Sequence, residues 1–204
     1  MRHTVGMPEL TEMIDGLHVT SLARTVVDIA SARSFTHAVT MADAALRRSL
    51  HPLRGVPPTA LSRELLAEEL DRLPLRHGSV KARRVVEFAD GLADRPGESV
   101  SRVNMHRAAL SAPQLQVVLT GRSGRRYVVD FWWPQFNVIG EFDGRAKYTD
   151  PEFLRGRTPE QALLDEKSRE DDLRAAGHSV SRWGWDVAIN PRLLRAHLVA
   201  AGVR

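Results

Sequence analysis

"VVDFWWPQFNVIGEFDG", residues 128–144, is the stretch on which the reading of this chain turns. Apolar runs on both sides of Pro134 have the texture of two short strands joined by a turn. Three carboxylates, Asp130, Glu141 and Asp143, nevertheless sit inside or at the end of those runs. Acidic residues are poor strand formers and expensive to bury without a partner, so their presence calls for a purpose. Alternation along a strand puts Glu141 and Asp143 on one side of the second run and Phe142 on the other. Asp130, on the antiparallel neighbour, pairs nearer to residue 138 than to Glu141 if the hairpin is tight. The acids meet only where the strands splay or bulge, and Gly140 permits a bulge or a close backbone approach.

Carboxylates brought together in apolar surroundings repel, and one of them acquires a raised pKa. A divalent cation, Mg²⁺ or Mn²⁺, removes the conflict. Mg²⁺ takes oxygen ligands and commonly uses only one or two protein carboxylates. Such an ion activates water and stabilises negative charge on a phosphodiester. Oxygen-only ligation suits a chain without Cys. Two further positions join the candidate set. Glu98 falls in the first turn of a helix after Pro96-Gly97, where the macrodipole favours an acid. Lys147, just after the acidic strand, or Lys167, on the next helix, is long enough to place a positive charge near water or phosphate. Plainer roles stand beside these: Asp130 as a turn cap, Glu141 on the solvent face of an edge strand, Asp143-Gly144 as a turn, Glu98 as a helix-start acid, Lys147 as a loop lysine.

Working outward, "ESVSRVNMHRAAL" reads as a helix. "LQVVLT" and "RRYVVDF" read as strands about a "GRSG" turn, with "WWPQF" as a second turn and "NVIGEFDG" as a third strand. A charged loop leads to a long helix, "TPEQALLDEKSREDDLRAAG". Thr158 caps it, Pro159 takes its first position, Gln161 completes a capping box and Gly177 ends it. "HSVSRW" is a fourth strand, and a closing helix follows Asn190-Pro191. Residues 95–204 are therefore expected as α-β-β-β-α-β-α with a mixed sheet. "ADRPGES" marks the boundary. Residues 1–94 read as an α-helical module of four helices. Their stripes include Leu22, Val26, Ile29 and Ala30, then Ala38, Met41, Ala42, Ala45 and Leu46. Leu61, Leu65, Leu66 and Leu70 follow with Thr59 as cap, then Val80, Val85 and Phe88. No strand is expected before about residue 114. The fold class is α+β.

The chain has 204 residues, 43% hydrophobic and 26% charged, an ordinary globular balance with enough material for a core. It has no Cys, so neither a disulfide framework nor a cysteine zinc site is expected. No apolar run approaches the roughly 20 residues of a membrane span, and no signal-like core follows Met1. A cytoplasmic protein is expected. The formal net charge is +4, which mildly favours a polyanionic partner. Arg122, Arg125 and Arg126 crowd the "GRSGRR" tip, and Arg145 and Arg169 flank the acids, so these five are candidate phosphate contacts. "DEKSREDDLR" reads equally as a solvated helix with Asp165–Arg169 and Glu170–Arg174 pairs. Of the four Trp, at least two are expected in the core. The eight His show no metal-binding spacing.

Glu98-Ser99, "VVDF" with Asp130, and "EFDG" with Glu141, Asp143 and Gly144 together resemble the PD-(D/E)XK nuclease superfamily. The nearest branch is that of small domains related to very-short-patch repair endonucleases. "EKSREDDLRAAGHSVSRWGW" is similar to that branch as well. The resemblance covers about residues 95–204 and implies a restriction-endonuclease-like fold and a magnesium-dependent endonuclease acting on DNA. Glu98, Asp130 and Glu141 would be its acidic metal positions, with Asp143, Lys147 or Lys167 completing the catalytic set. The chain departs from the superfamily at Asp143, where Lys is frequent. That departure keeps a second expectation open: an inactive nuclease fold serving as a DNA-binding or regulatory module. "HVTSLARTVVDIA" and "MADAALRR" resemble the helical region that follows the winged helix of AbiEi-family antitoxin-like proteins, which implies a protein or DNA partner for the first half.

Overall fold

The computed structural model describes residues 12–52, 60–75, 77–144 and 158–204. The chain divides into two compact units, Met1–Gly91 and Leu92–Arg204.

The first unit opens with a hairpin of β1 (Glu12–Ile14) and β2 (Leu17–Val19). Asp15 and Gly16 between them have φ of 49° and 79°, the positive values that a two-residue Asp-Gly turn adopts to match strand twist. This overturns the expectation of no strand before residue 114. Three-residue strands are too short to show alternation, and Asp-Gly is their one local mark. Four helices follow: α1 (Leu22–Ala32), α2 (Phe35–Leu50), α3 (Arg63–Arg72) and α4 (Ser79–Phe88). Ser21, Ser34 and Ser62 cap the first three, each hydroxyl accepting a backbone N–H. The cap of α3 is thus Ser62; Thr59 lies outside the described residues. Val80, expected inward, is 78% exposed, because Ala82, Val85 and Val86 form the buried stripe of α4. Met41 and Leu65 are also exposed.

The second unit runs α5 (Pro96–Arg107), β3 (Gln114–Thr120), β4 (Arg126–Trp133), β5 (Val138–Phe142), α6 (Pro159–Ala175), β6 (Ser179–Trp183), α7 (Trp185–Ala188) and α8 (Pro191–Ala200). The sheet order is β3-β4-β5-β6, antiparallel except for the parallel β5–β6 pair. It is an α+β unit with a mixed sheet. Trp132 and Trp133 belong to β4 rather than to a turn. The short α7 had no periodicity to announce it. The capping box of Thr158 and Gln161 forms as the spacing predicts.

The sheet has a core on each face. Met105, Leu115, Phe131, Trp133, Phe142, Trp183, Leu194 and Leu198 lie in one cluster. Val129, Ile139 and Leu173 of α6 form the other, with Val117 packed against it. Trp133 and Trp183 are both core residues, at 0% and 3% exposure. Their rings close over Gly140, where a Cβ would come 2.7 Å from Trp183 and 2.9 Å from Trp133. The glycine allows a close approach.

Leu115 and Phe131 pack in the first cluster, whereas Val117 and Val129, only two residues away on each strand, pack in the second. Leu115↔Phe131 and Val117↔Val129 are both in register, so the two strands change face together between these pairs. Gln116 and Asp130 occupy that crossing, and Gln116 has φ of 50°. Period-2 alternation fails there, which frees the Asp130 side chain from either core.

Candidate acidic site

Glu98 is carried by the first turn of α5. Pro96 takes the first helical position, where its missing N–H is no loss. At Gly97 a Cβ would lie 2.1 Å from the Phe142 ring, so glycine lets the helix start sit directly on the end of β5. Glu98 is left 2% exposed. Its Oε2 accepts hydrogen bonds from the Asp94 backbone N–H at 2.8 Å and from Gln116 Nε2 at 3.0 Å. Burial, and next the charge of Asp130, push the Glu98 carboxyl up to about 8. Asp94 adds to the repulsion, and the two hydrogen bonds pull the other way.

Asp130 faces this group from β4. Phe131↔Gly140 and Trp132↔Ile139 fix the register with β5, and one further step sets Asp130 opposite Glu141. The tight-hairpin expectation, which put it near residue 138, is corrected: a four-residue connection, Pro134 to Asn137, lengthens the hairpin. At this level the Phe142 N–H donates to Asp130 Oδ2 at 2.9 Å, so a side chain stands where a strand carbonyl would and the strands part.

Glu141 is 4% exposed but takes a different partner. Arg169 of α6 places Nη2 2.8 Å from its Oε1, and the same guanidinium donates to the Val128 carbonyl. Arg182 is in register beside Glu141 on β6 and is itself paired with Glu166 and Glu170. Glu170 also pairs with Arg174, as helical spacing predicts. The structure therefore brings Glu98 and Asp130 to face one another and sets Glu141 in an arginine-rich network. Asp143 is half-buried, its backbone N–H donating to Trp183 O at 2.8 Å.

Among the described residues no group of three His, Asp or Glu is arranged to hold a metal ion. What is present is a buried carboxyl, Glu98, that feels the charge of Asp130 and, less strongly, of Asp94. Lys167 is exposed; two positions from Arg169, it lies about 200° around the helix, away from Glu141. Lys147 and Arg145 lie outside the described residues. Arg122, Arg125 and Arg126 are exposed at the hairpin tip. Asp172 anchors that tip, accepting from Ser123 N at 2.8 Å, Ser123 Oγ at 2.6 Å and Tyr127 Oη at 3.0 Å. Gln116, Asp94 and Arg182 belong to the site and were not anticipated. Asp94 enters through a local contact at the start of α5, whereas the left-handed backbone at Gln116 and the parallel pairing of β6, which bring in Gln116 and Arg182, leave no mark in local sequence.

Two proteins of Mycobacterium tuberculosis are similar to this chain: Uncharacterized protein MT2308 of strain CDC 1551 / Oshkosh and Uncharacterized protein Rv2248 of strain ATCC 25618 / H37Rv. Each is 32% identical over 165 residues, covering 78% of this chain. The chain spans 57% of the length of these relatives. No family model matches the chain, and no solved structure matches it significantly.

Proposed function

We propose that Leu92–Arg204 is a divalent-metal-dependent DNA endonuclease domain of the PD-(D/E)XK, restriction-endonuclease-like kind. The carrying observation is the buried Glu98 carboxyl, raised to about 8 by burial and by Asp130. Such a pair is in electrostatic conflict until a proton or a cation settles it. The donor set fits Mg²⁺ or Mn²⁺, since two carboxylates suffice for a hard ion that keeps several waters. Glu98 and Asp130 would hold the ion, and Gln116 keeps the Glu98 carboxylate oriented. Bound there, the cation supplies Lewis acidity toward a phosphate oxygen and activates water. Arg169, paired with Glu141 on the neighbouring strand, is a positive group that could play the part expected of a lysine. The order of α5, β3-β4-β5, α6 and β6 supports the family resemblance. The test is cleavage of plasmid, single-stranded and branched DNA with Mg²⁺ or Mn²⁺, with Mn²⁺ binding followed by calorimetry. Glu98→Gln is expected to abolish both; unchanged cleavage by that variant sinks the assignment.

The Glu141–Arg169 ion pair favours a second reading. A carboxylate held by a guanidinium is withdrawn from metal ligation, which suits an inactive nuclease fold acting as a DNA-binding or antitoxin-like regulatory module, with the helical first unit engaging a protein partner. Salt-sensitive DNA binding without Mn²⁺ binding would select it.

A further inference from the structure

A second feature of Leu92–Arg204 lies away from the acids. The end of α5 and the beginning of α8 enclose a cleft of about 560 Å³ lined by Arg107, Ala108, Asn190, Pro191, Arg192 and Arg195. Three of its six lining residues are arginines and none is acidic. Three other arginines of this unit are paired with carboxylates, Arg169 with Glu141, Arg174 with Glu170 and Arg182 with Glu166. Among the described residues, Arg107, Arg192 and Arg195 have no carboxylate partner. Two of them are held in place by neutral acceptors. Arg195 Nη1 donates to the Ala108 carbonyl at 2.9 Å, and Arg107 Nη1 donates to Asn104 Oδ1 at 3.2 Å. Asn104 is itself fixed by its bond to the Ala188 carbonyl at 2.7 Å, so the cleft is built on a rigid floor. Exposed guanidiniums gathered on one surface make a positive potential that attracts anions. Pre-set guanidinium forks match phosphate oxygens in shape as well as charge.

We propose that this cleft docks the phosphate backbone of DNA. The choice of nucleic acid rests on the hydrolytic reading of the acidic pocket. Glu98 and Arg107 stand nine residues apart on α5, about 14 Å along its axis and about half a turn around it, so the cleft is a surface separate from the acids. The floor of Ala108 and Pro191 is apolar, as a sugar face requires, and the open trough admits a chain rather than a single small anion.

The experiment is fluorescence anisotropy of labelled duplex and single-stranded DNA with the full chain in EDTA, from 50 to 200 mM salt, which removes any contribution of cleavage. The variant R107Q/R192Q/R195Q is compared with the charge-matched R33Q/R48Q/R63Q, whose arginines are exposed on the first unit, and thermal unfolding checks that both fold. The cleft triple is expected to weaken DNA binding at least tenfold and to reduce the salt slope by about three. The control is expected to keep the slope. No DNA binding by the parent chain, an unaltered slope in the cleft triple, or an equal loss in both triples overturns the proposal. Competition by poly-glutamate as strong as by DNA overturns the nucleic-acid assignment in favour of an acidic peptide. DNA binding through the cleft without Mn²⁺-dependent cleavage leaves this inference standing and removes the hydrolytic one.

Discussion

Arg169 Nη2 lies 2.8 Å from Glu141 Oε1, the arginine coming from α6 and the glutamate from the central strand β5. Glu141 has its side chain 5% exposed and Arg169 26%, so removing one partner strands a largely desolvated charge. Arg169→Gln is expected to lower stability by about 2–4 kcal/mol, below or at the range for a broken buried pair. Arg169→Gln with Glu141→Gln should recover most of that loss. Urea unfolding of the four corners of the cycle checks it, and additive losses would show that the pair is not coupled.

The Glu98 carboxyl makes stability depend on pH. Its folded pKa, about 8, stands above the ordinary value of 4.5. Between these values the folded state holds a proton that the unfolded chain has released. The stabilisation is therefore complete below about pH 4.5 and lost as pH rises through about 8. At about 1.4 kcal/mol per unit the swing amounts to a few kcal/mol. Glu98→Gln, neutral throughout, is expected to flatten this dependence and to be the more stable protein at pH 9. A parent protein whose midpoint denaturant concentration does not move between pH 5 and 9 would contradict the account.

Cation binding at the Glu98–Asp130 pocket must displace that proton. Mn²⁺ titrated at pH 7 is expected to release close to one proton per ion, read as the dependence of calorimetric heat on buffer ionisation enthalpy. At pH 9 the release should vanish and the affinity rise. Binding without proton release would place the ion elsewhere.

Gly97 is expected to tolerate no side chain. A Cβ there meets the Phe142 ring at 2.1 Å, and Phe142 is 3% exposed among core neighbours. Gly97→Ala should destabilise by about 1–3 kcal/mol through overpacking and weaken Mn²⁺ binding by shifting the turn that carries Glu98. Thermal unfolding and Mn²⁺ titration read the two effects separately; an unchanged protein would mean that α5 is free to slide.

Local rules made much of this protein legible. The capping box at Thr158, the Asn190-Pro191 helix start and the alternation of β5, with Val138 and Phe142 in one core and Ile139 in the other, depend on neighbours within four residues, and each appears where spacing placed it. The buried acids were legible as a chemical anomaly, because charge inside an apolar strand conflicts with burial wherever the strand goes. Which acids meet was not legible. The face switch at Gln116 and Asp130, the length of the β4–β5 hairpin, and the reach of Arg169 from α6 are set by contacts between residues 12 to 28 positions apart. Sequence by itself determined that carboxylates would need partners in the sheet. Only tertiary structure decided that Glu98 finds Asp130 while Glu141 finds Arg169, because partner choice for a buried charge depends on which elements close over it.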